Sequence, residues 1–229
     1  MFTNPFTPEF KKAKKSLFKK EVSVRVERKI SVDMAKKIET ATPPSIYETE
    51  YKIKREQAKF LVDLEDQLAE DLLRAYDDKK ECREKAQAAL ESILINKERC
   101  EINEAGDIIE LRLMSLGLSL LPDSVANLKK IKILSCWGNR LSELPEALCD
   151  LNELTTLDLE RNLLSKLPKN FAKLKNLEFL SIPENPFTEF PEVVMDLHKL
   201  ERFQFFNVNF ELTKEQKAQI KKRFREVTL

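Results

Sequence analysis

A leucine–proline dipeptide recurs along the second half of the chain at a constant interval of 23 residues. The prolines are Pro122, Pro145, Pro168 and Pro191, and leucine precedes all but the last, which follows Phe190. A regular period of about 20 to 50 residues indicates a solenoid, in which each unit covers its apolar side with its neighbours. This spacing therefore predicts that much of residues 106–212 is a stack of repeats.

Five apolar positions and one polar position align in the same register. The aligned sets are Leu134, Leu157 and Leu180; Cys136, Leu159 and Ile182; Asn139, Asn162 and Asn185; Leu141, Leu164 and Phe187; Leu148, Phe171 and Val194; and Leu151, Leu174 and Leu197. Units starting at Ile108 and Leu200 keep the apolar pattern but carry Leu116 and Val208 in place of the asparagine. We interpret the apolar sets as one shared core, and the asparagines as partners for backbone groups where the chain leaves each strand.

These residues follow the pattern LxxLxLxxNxLxxLPxxLxxL and resemble the leucine-rich-repeat family across roughly residues 106–212. The resemblance implies an α/β repeat fold, a short curved solenoid with parallel strands on its concave face. We divide the chain into a basic arm (1–45), an amphipathic helix or helix pair (46–97), the repeat domain (98–212) and a C-terminal capping helix (213–229).

Both ends of a short stack need a cover. At the C-terminal end, Thr213 and Gln216 form a capping-box signature, which predicts a lid helix over 213–227 whose six basic residues face solvent. At the N-terminal end, the Asn103–Gly106 segment is typical of a turn. We expect it to fold residues 99–102 back on residues 108–113 as a capping hairpin.

Between Ser45 and Ala105 the chain has neither proline nor glycine. Its apolar residues recur at helical spacing, at Phe60, Leu64, Leu68, Leu72 and Tyr76, and again at Ala86, Leu90, Ile93 and Leu94. One long helix, or a coiled coil, is compatible with this pattern, although the apolar positions drift from a strict heptad. We favour two helices that break near Asp77 and Asp78, with the second docked on the repeats.

Residues 1–45 contain 11 Lys or Arg and five Asp or Glu, a net charge of +6, whereas the whole chain carries +1. Four prolines in this arm disfavour helix. The alternation over 22–26 (VSVRV) is typical of a strand, which could add to the sheet of another protein. The other interpretation is that the arm has no fixed structure and that its polar and apolar residues alternate by chance.

The sequence offers few groups for catalysis. It contains one histidine, His198, and four scattered cysteines with no CxxC pair. A general base needs a positioned partner, a zinc site needs clustered ligands, and a phosphate-binding loop needs more than the three glycines present. We therefore expect no enzymatic activity, no cofactor and no metal.

If the family geometry holds, the residues between the core leucines of each strand project from the concave face. Several are aromatic or methionine side chains, which are enriched at binding interfaces and their hot spots. The predicted protein-binding residues are Trp137, Ile133, Phe179, Phe206, Met114, Arg112, Asp158, Glu160 and Arg161. We expect Trp137, the only tryptophan, to be exposed there unless a partner or the arm covers it. The alternative is that its ring turns inward beside Gly138.

The leading functional hypothesis is a scaffold subunit of a larger protein assembly, which binds one partner through the concave face and another through the N-terminal extension. The alternative is a nucleic-acid-associated protein, for example a ribosome-bound one. Its contacts would be six lysines close to Phe10 and Phe18, namely Lys11, Lys12, Lys14, Lys15, Lys19 and Lys20.

We expect a cytoplasmic location. Scattered cysteines suit a reducing compartment, and no secretory signal or membrane-spanning run is visible. A mitochondrial location is the alternative, because the N-terminal residues are basic.

Overall fold

The structure, a computed structural model, describes residues 45–74, 78–206, 208 and 210–229. Seven strands form one sheet whose spatial order follows the chain order. They are β1 (Cys100–Ile102), β2 (Ile108–Arg112), β3 (Ile133–Ser135), β4 (Thr156–Asp158), β5 (Phe179–Ser181), β6 (Arg202–Gln204) and β7 (Glu226–Thr228). β1 is antiparallel to β2, and each later strand is parallel to the one before it.

The strand register confirms the 23-residue period. Leu134 pairs with Leu157, which pairs with Leu180, so equivalent positions of successive repeats lie side by side. These leucines are fully buried and point to the convex side. The chain there forms four short 3₁₀ helices, η1 (Asp123–Asn127), η2 (Glu146–Asp150), η3 (Phe171–Lys173) and η4 (Glu192–Asp196). The fold is thus the predicted solenoid, with parallel strands on the concave face and the core between strands and 3₁₀ helices.

The asparagine of each repeat bonds to the backbone as the sequence predicts. The side-chain amide of Asn162 donates to the carbonyls of Cys136 and Leu159, at 3.0 Å each, and its oxygen accepts the Leu141 N–H at 3.0 Å. Asn139 and Asn185 make equivalent bonds. Because each asparagine joins carbonyls of its own repeat and the preceding one, the three form a buried ladder across the stack.

The helical segment forms three helices, α1 (Ile46–Thr49), α2 (Arg55–Leu72) and α3 (Lys79–Leu94). Asp78 caps α3, its carboxylate accepting the N–H groups of Lys80 and Glu81 at 2.8 and 2.9 Å. The predicted apolar positions of both long helices are buried, apart from half-buried Leu72. Residues 75–77, including Tyr76, lie outside the described residues.

The first long helix makes most of the polar contacts with the repeats, although the sequence suggested the second. In α2, Asp71 accepts hydrogen bonds from the N–H and hydroxyl of Ser119, at 2.8 and 2.6 Å. The buried side chain of Gln57 accepts the Ile108 N–H at 2.6 Å and donates to Asp107 at 2.9 Å. The contacting groups are polar on both the helix and the repeats, so a pattern of apolar residues could not predict this contact.

The capping hairpin of β1 and β2 is confirmed, and Gly106 explains its turn. Gly106 has φ of +80°, a conformation that side chains with a Cβ disfavour. A Cβ at this position would lie 2.4 Å from the Lys52 carbonyl oxygen, because the chain before α2 crosses the turn closely. Lys54 N–H also donates to the Gly106 carbonyl at 3.0 Å.

The C-terminal lid differs from the prediction. The capping box of Thr213 and Gln216 is present, but the helix, α4 (Lys214–Arg223), ends four residues earlier than predicted. Phe224 is extended and buried against Phe203, with ring centroids 5.2 Å apart, which directs the chain into β7. Arg223 is also not on a solvated face, since its guanidinium donates to the carbonyls of Leu197 and Leu200 at 2.5 and 3.2 Å.

Among the described residues, no helix combines the length and the apolar character needed to span a bilayer.

The shared core predicts a stability loss for Leu157→Ala. Leu157 is 0% exposed, and its removal leaves a cavity that both neighbouring repeats feel. We expect the free energy of unfolding to fall by about 2–5 kcal/mol in chemical denaturation. Leu163→Ala is the matched control, because Leu163 is 51% exposed, and it should change stability by less than about 0.5 kcal/mol. Equal effects of the two substitutions would contradict the core assignment.

The asparagine ladder predicts a loss for Asn162→Ala through a different cause. This substitution leaves the buried Leu141 N–H and the Cys136 and Leu159 carbonyls without their side-chain partner. We expect a cost of about 1–3 kcal/mol in the same denaturation measurement. Asn152→Ala is the control, since Asn152 is exposed. An Asn162→Ala protein as stable as the control would show that the ladder is dispensable.

Candidate protein-binding face

The strands present three rows of side chains on the concave face, one residue from each repeat in every row. The first row is Glu110, Ile133, Thr156, Phe179 and Arg202; the second is Arg112, Ser135, Asp158, Ser181 and Gln204; the third is Met114, Trp137, Glu160, Pro183 and Phe206. Except for Arg161, all predicted protein-binding residues lie in these rows. All of those in the rows are half-buried.

Trp137 is half-buried and is not the lone exposed ring that its register suggested. The guanidinium carbon of Arg161 lies 5.3 Å from the centroid of the indole, a cation–π arrangement. Arg161 comes from the next repeat, so the contact links two repeats across the face. One side of the ring is therefore covered by a cation of the protein itself.

Arg161 is held by carboxylates on both sides. Its Nε lies 2.8 Å from Glu184 of the following repeat and 3.8 Å from Glu160 of its own. These contacts raise the pKa of the Arg161 guanidinium, chiefly through its hydrogen bond to Glu184. Trp137, Arg161 and Glu184 thus form a diagonal of three contacting side chains across three successive repeats.

The diagonal depends on a backbone feature that the sequence analysis did not identify. Ser115, Gly138, Arg161 and Glu184 all have positive φ, between +54° and +69°, and lie 23 residues apart. Each comes directly before the ladder position, where the backbone turns away from the strand. Gly138 was the available signal, because glycine favours this conformation. Its equivalents adopt it as well, which aims the Arg161 and Glu184 side chains along the edge of the face.

A second aromatic–cation pair lies in the first row. The guanidinium carbon of Arg202 is 4.8 Å from the centroid of the Phe179 ring, again joining neighbouring repeats. Glu110 and Arg112 form an ion pair within β2. The predicted residue Ile133 lies in the first row, and Met114 and Phe206 lie at the two ends of the third row. All three contribute apolar surface.

Small polar side chains occupy the centre of the second row, between the two aromatic–arginine pairs. The Ser135 hydroxyl donates to Asp158 at 3.0 Å, and the Ser181 hydroxyl donates to Gln204 at 3.1 Å. Both serines are 2% exposed, because longer side chains lie beside them. We call the centre of the second row, Ser135, Asp158 and Ser181, the trough; Phe179 and Trp137 lie in the rows on either side of it.

The four cysteines are buried. Burial raises the pKa of the Cys136 thiol to about 12, and the neighbouring Asp158 carboxylate adds to this shift. Burial likewise raises the pKa of Cys100 to about 12 and that of Cys149 to about 11. Since a thiolate is the reactive form, these three thiols are poor nucleophiles at neutral pH. The six lysines of the nucleic-acid alternative lie outside the described residues.

The chain belongs to the leucine-rich-repeat family: the profile described as "Leucine-rich repeat region" matches residues 89–227. Domains of this family generally mediate protein–protein interaction and are typically not enzymes.

Solved structures with similar folds come from plants and bacteria. The ectodomain of the receptor kinase SOBIR1 from Arabidopsis thaliana is 22% identical, with a TM-score of 0.48, over 62% of this chain and 89% of that one. The BIR2 ectodomain from Arabidopsis thaliana is 23% identical, with a TM-score of 0.43, over 56% and 74%. Internalin C2 from Listeria monocytogenes is 20% identical, with a TM-score of 0.45, over 53% and 51%. No curated protein matches the chain significantly in sequence.

The contact between Arg161 and Trp137 predicts a change in tryptophan accessibility. Arg161→Ala uncovers one side of the only tryptophan, so quenching of its fluorescence by acrylamide should become more efficient. Arg202→Ala is the matched control, since this guanidinium covers Phe179 instead. Quenching that is unchanged in Arg161→Ala, or equally increased in both variants, would contradict the stacked arrangement.

Proposed function

We propose that this protein is a non-enzymatic interaction subunit that binds a partner protein through the concave face of its repeats. The observation that supports this most is the pair of aromatic–arginine stacks, Trp137 with Arg161 and Phe179 with Arg202, on opposite sides of one trough. Tryptophan and arginine are over-represented in binding hot spots, where they cluster near the centre of an interface. Here they border the middle of a face built by five consecutive strands.

The stacks are also ordered before any partner arrives. Arg161 is held by two carboxylates, and the backbone under it by the hydrogen bond from the Arg161 N–H to the Pro183 carbonyl at 3.1 Å. Ordering a long side chain on binding costs about 0.5–1.5 kcal/mol. A partner that docks against Arg161 and Trp137 avoids much of this cost.

We further propose that the protein is a scaffold subunit of a larger assembly. The family match begins at residue 89, so a large part of the chain is additional to the repeats. The helices α2 and α3 share the hydrophobic core of the repeats. In this proposal, residues 1–45, with a net charge of +6, supply a second contact. The cytoplasm is the expected location, because four scattered cysteines with no CxxC pair suit a reducing compartment.

Charge disfavours nucleic acid as a ligand of the repeats. Since the whole chain carries +1 and residues 1–45 carry +6, the rest carries −5. Affinity for a phosphate backbone comes mostly from Lys and Arg that displace counterions. The alternative therefore rests on Lys11 to Lys20 alone. One outcome would favour the nucleic-acid alternative over our proposal: the protein binds RNA or DNA tightly and without sequence preference at about 150 mM salt, and loses this binding when residues 1–20 are deleted.

Photo-crosslinking tests where the partner binds. With p-benzoylphenylalanine in place of Phe179 in the full chain, we expect a specific protein adduct in extracts of the source organism. The same photoreactive residue in place of His198, which is exposed just after η4, should not form that adduct. Adducts of equal yield from both positions would show that binding does not centre on the concave face.

Substitution of Trp137 tests the energetic share of the stack. Trp137→Ala should weaken the complex with the cross-linked partner by about 2 kcal/mol or more, roughly a 30-fold change in Kd. Leu163→Ala removes an exposed apolar side chain outside the strands and should leave Kd unchanged. Circular dichroism should show both variants folded. A Trp137→Ala protein that binds as tightly as the control would contradict the hot-spot assignment.

A further inference from the structure

Most of the carboxylates in and beside the concave rows form an ion pair within the face. Glu110 pairs with Arg112, and Glu160 and Glu184 both pair with Arg161. Asp158 differs: among the ion pairs of the described residues, none includes it. The Asp158 carboxylate is therefore available for an ion pair with a ligand.

Asp158 lies at the centre of the trough. It is the middle residue of the second row and belongs to β4, the central strand of the seven-stranded sheet, with three strands on either side. Ser135 and Ser181 flank it in the same row and are too short to cover it. Trp137 and Phe179 border the trough on its two sides. A side chain approaching between these rings meets Asp158 at the bottom.

The carboxylate is already oriented for a ligand. Its Oδ2 accepts the Ser135 hydroxyl at 3.0 Å, and its Oδ1 accepts the Glu160 N–H at 3.2 Å. A carboxylate offers about four lone-pair sites, so both oxygens can still accept further hydrogen bonds. Because Asp158 is half-buried, solvent screens it less than it would a fully exposed group, and an ion pair there is stronger than one on an open surface.

We propose that the partner inserts a lysine or arginine side chain into this trough and pairs it with Asp158. This inference rests on the proposed function and specifies the chemistry of the partner. The aliphatic stem of such a residue would pack between the Trp137 and Phe179 sides while its charged head reaches the carboxylate, as amphipathic basic side chains do. A basic peptide segment also complements the charge of −5 that residues 46–229 carry. A bound metal ion is disfavoured, because the described residues hold no group of three or more metal-ligating side chains.

Peptide selection tests the proposal on the full chain. Random 12-residue peptides displayed on phage are selected for binding, and the selected sequences should be enriched in Lys or Arg at one position. Replacing that residue with uncharged norleucine should weaken binding about tenfold or more, the usual size for a hydrogen-bonded charge. Asp158→Asn, which keeps the shape of the side chain, should weaken the parent peptide equally and the norleucine peptide hardly at all.

Two further variants complete the experiment. Asp196→Asn removes an exposed carboxylate in η4 on the convex side and should leave peptide affinity unchanged. Asp158→Lys should reject the parent peptide and regain affinity for a version with Glu at the basic position. This exchange of preference requires that residue 158 pairs directly with the peptide. A variant that was merely less stable would lose affinity for both peptides.

The outcomes separate this inference from the function on which it rests. Selected peptides that depend on Trp137 and Phe179, but carry no preferred basic residue or bind Asp158→Asn normally, overturn the pairing with Asp158 and leave the binding face in place. A selection that yields no peptide sensitive to Trp137, Phe179 or Asp158 overturns both. Enrichment of acidic residues would contradict the proposed chemistry directly.

Discussion

The buried asparagine ladder is the interaction on which the rest of the structure depends. At the end of each strand the backbone turns toward the convex side, and its N–H and carbonyl groups leave the sheet within the core. Asn139, Asn162 and Asn185 satisfy those groups in their own repeat and in the preceding one. Because a buried unpaired polar group costs about 1–3 kcal/mol, the stack would be unfavourable without these side chains.

The ladder also shapes the concave face. The residue before each ladder position adopts a positive φ, so Arg161 and Glu184 lie along the edge of the face and not in the strand. From there Arg161 reaches back to Trp137 and forward to Glu184. Glu110, Glu160 and Glu184 pair with arginines of the face, whereas the ion pairs of the described residues do not include Asp158 at its centre. The proposed specificity therefore follows from the same turn that lets the repeats stack.

Much of the fold can be predicted from the sequence, because repetition tests each position several times. The strand register and the asparagine bonds follow from the repeat spacing, and the N-terminal hairpin follows from the turn residues of the Asn103–Gly106 segment. Features that occur only once in the chain were harder to predict. Strand β7 was missed because Phe224 packing, not local preference, ends α4. The docking of α2 escaped notice because Gln57 and Asp71 bind backbone and hydroxyl groups, which a hydrophobic pattern does not report. On the concave face, register predicted an exposed Trp137, but it could not show that Arg161 covers one side of the ring.

Hydrogen exchange of three backbone amides tests the role of the ladder most directly. The N–H groups of Leu118, Leu141 and Leu164 lie outside the strands and 3₁₀ helices and donate to Asn139, Asn162 and Asn185. If the asparagines hold the turns as one stack, these amides exchange as slowly as the strand amides, at the rate set by global unfolding. Asn162→Ala should then release Leu141 selectively. Rapid exchange of all three amides in the unmodified protein would contradict the account.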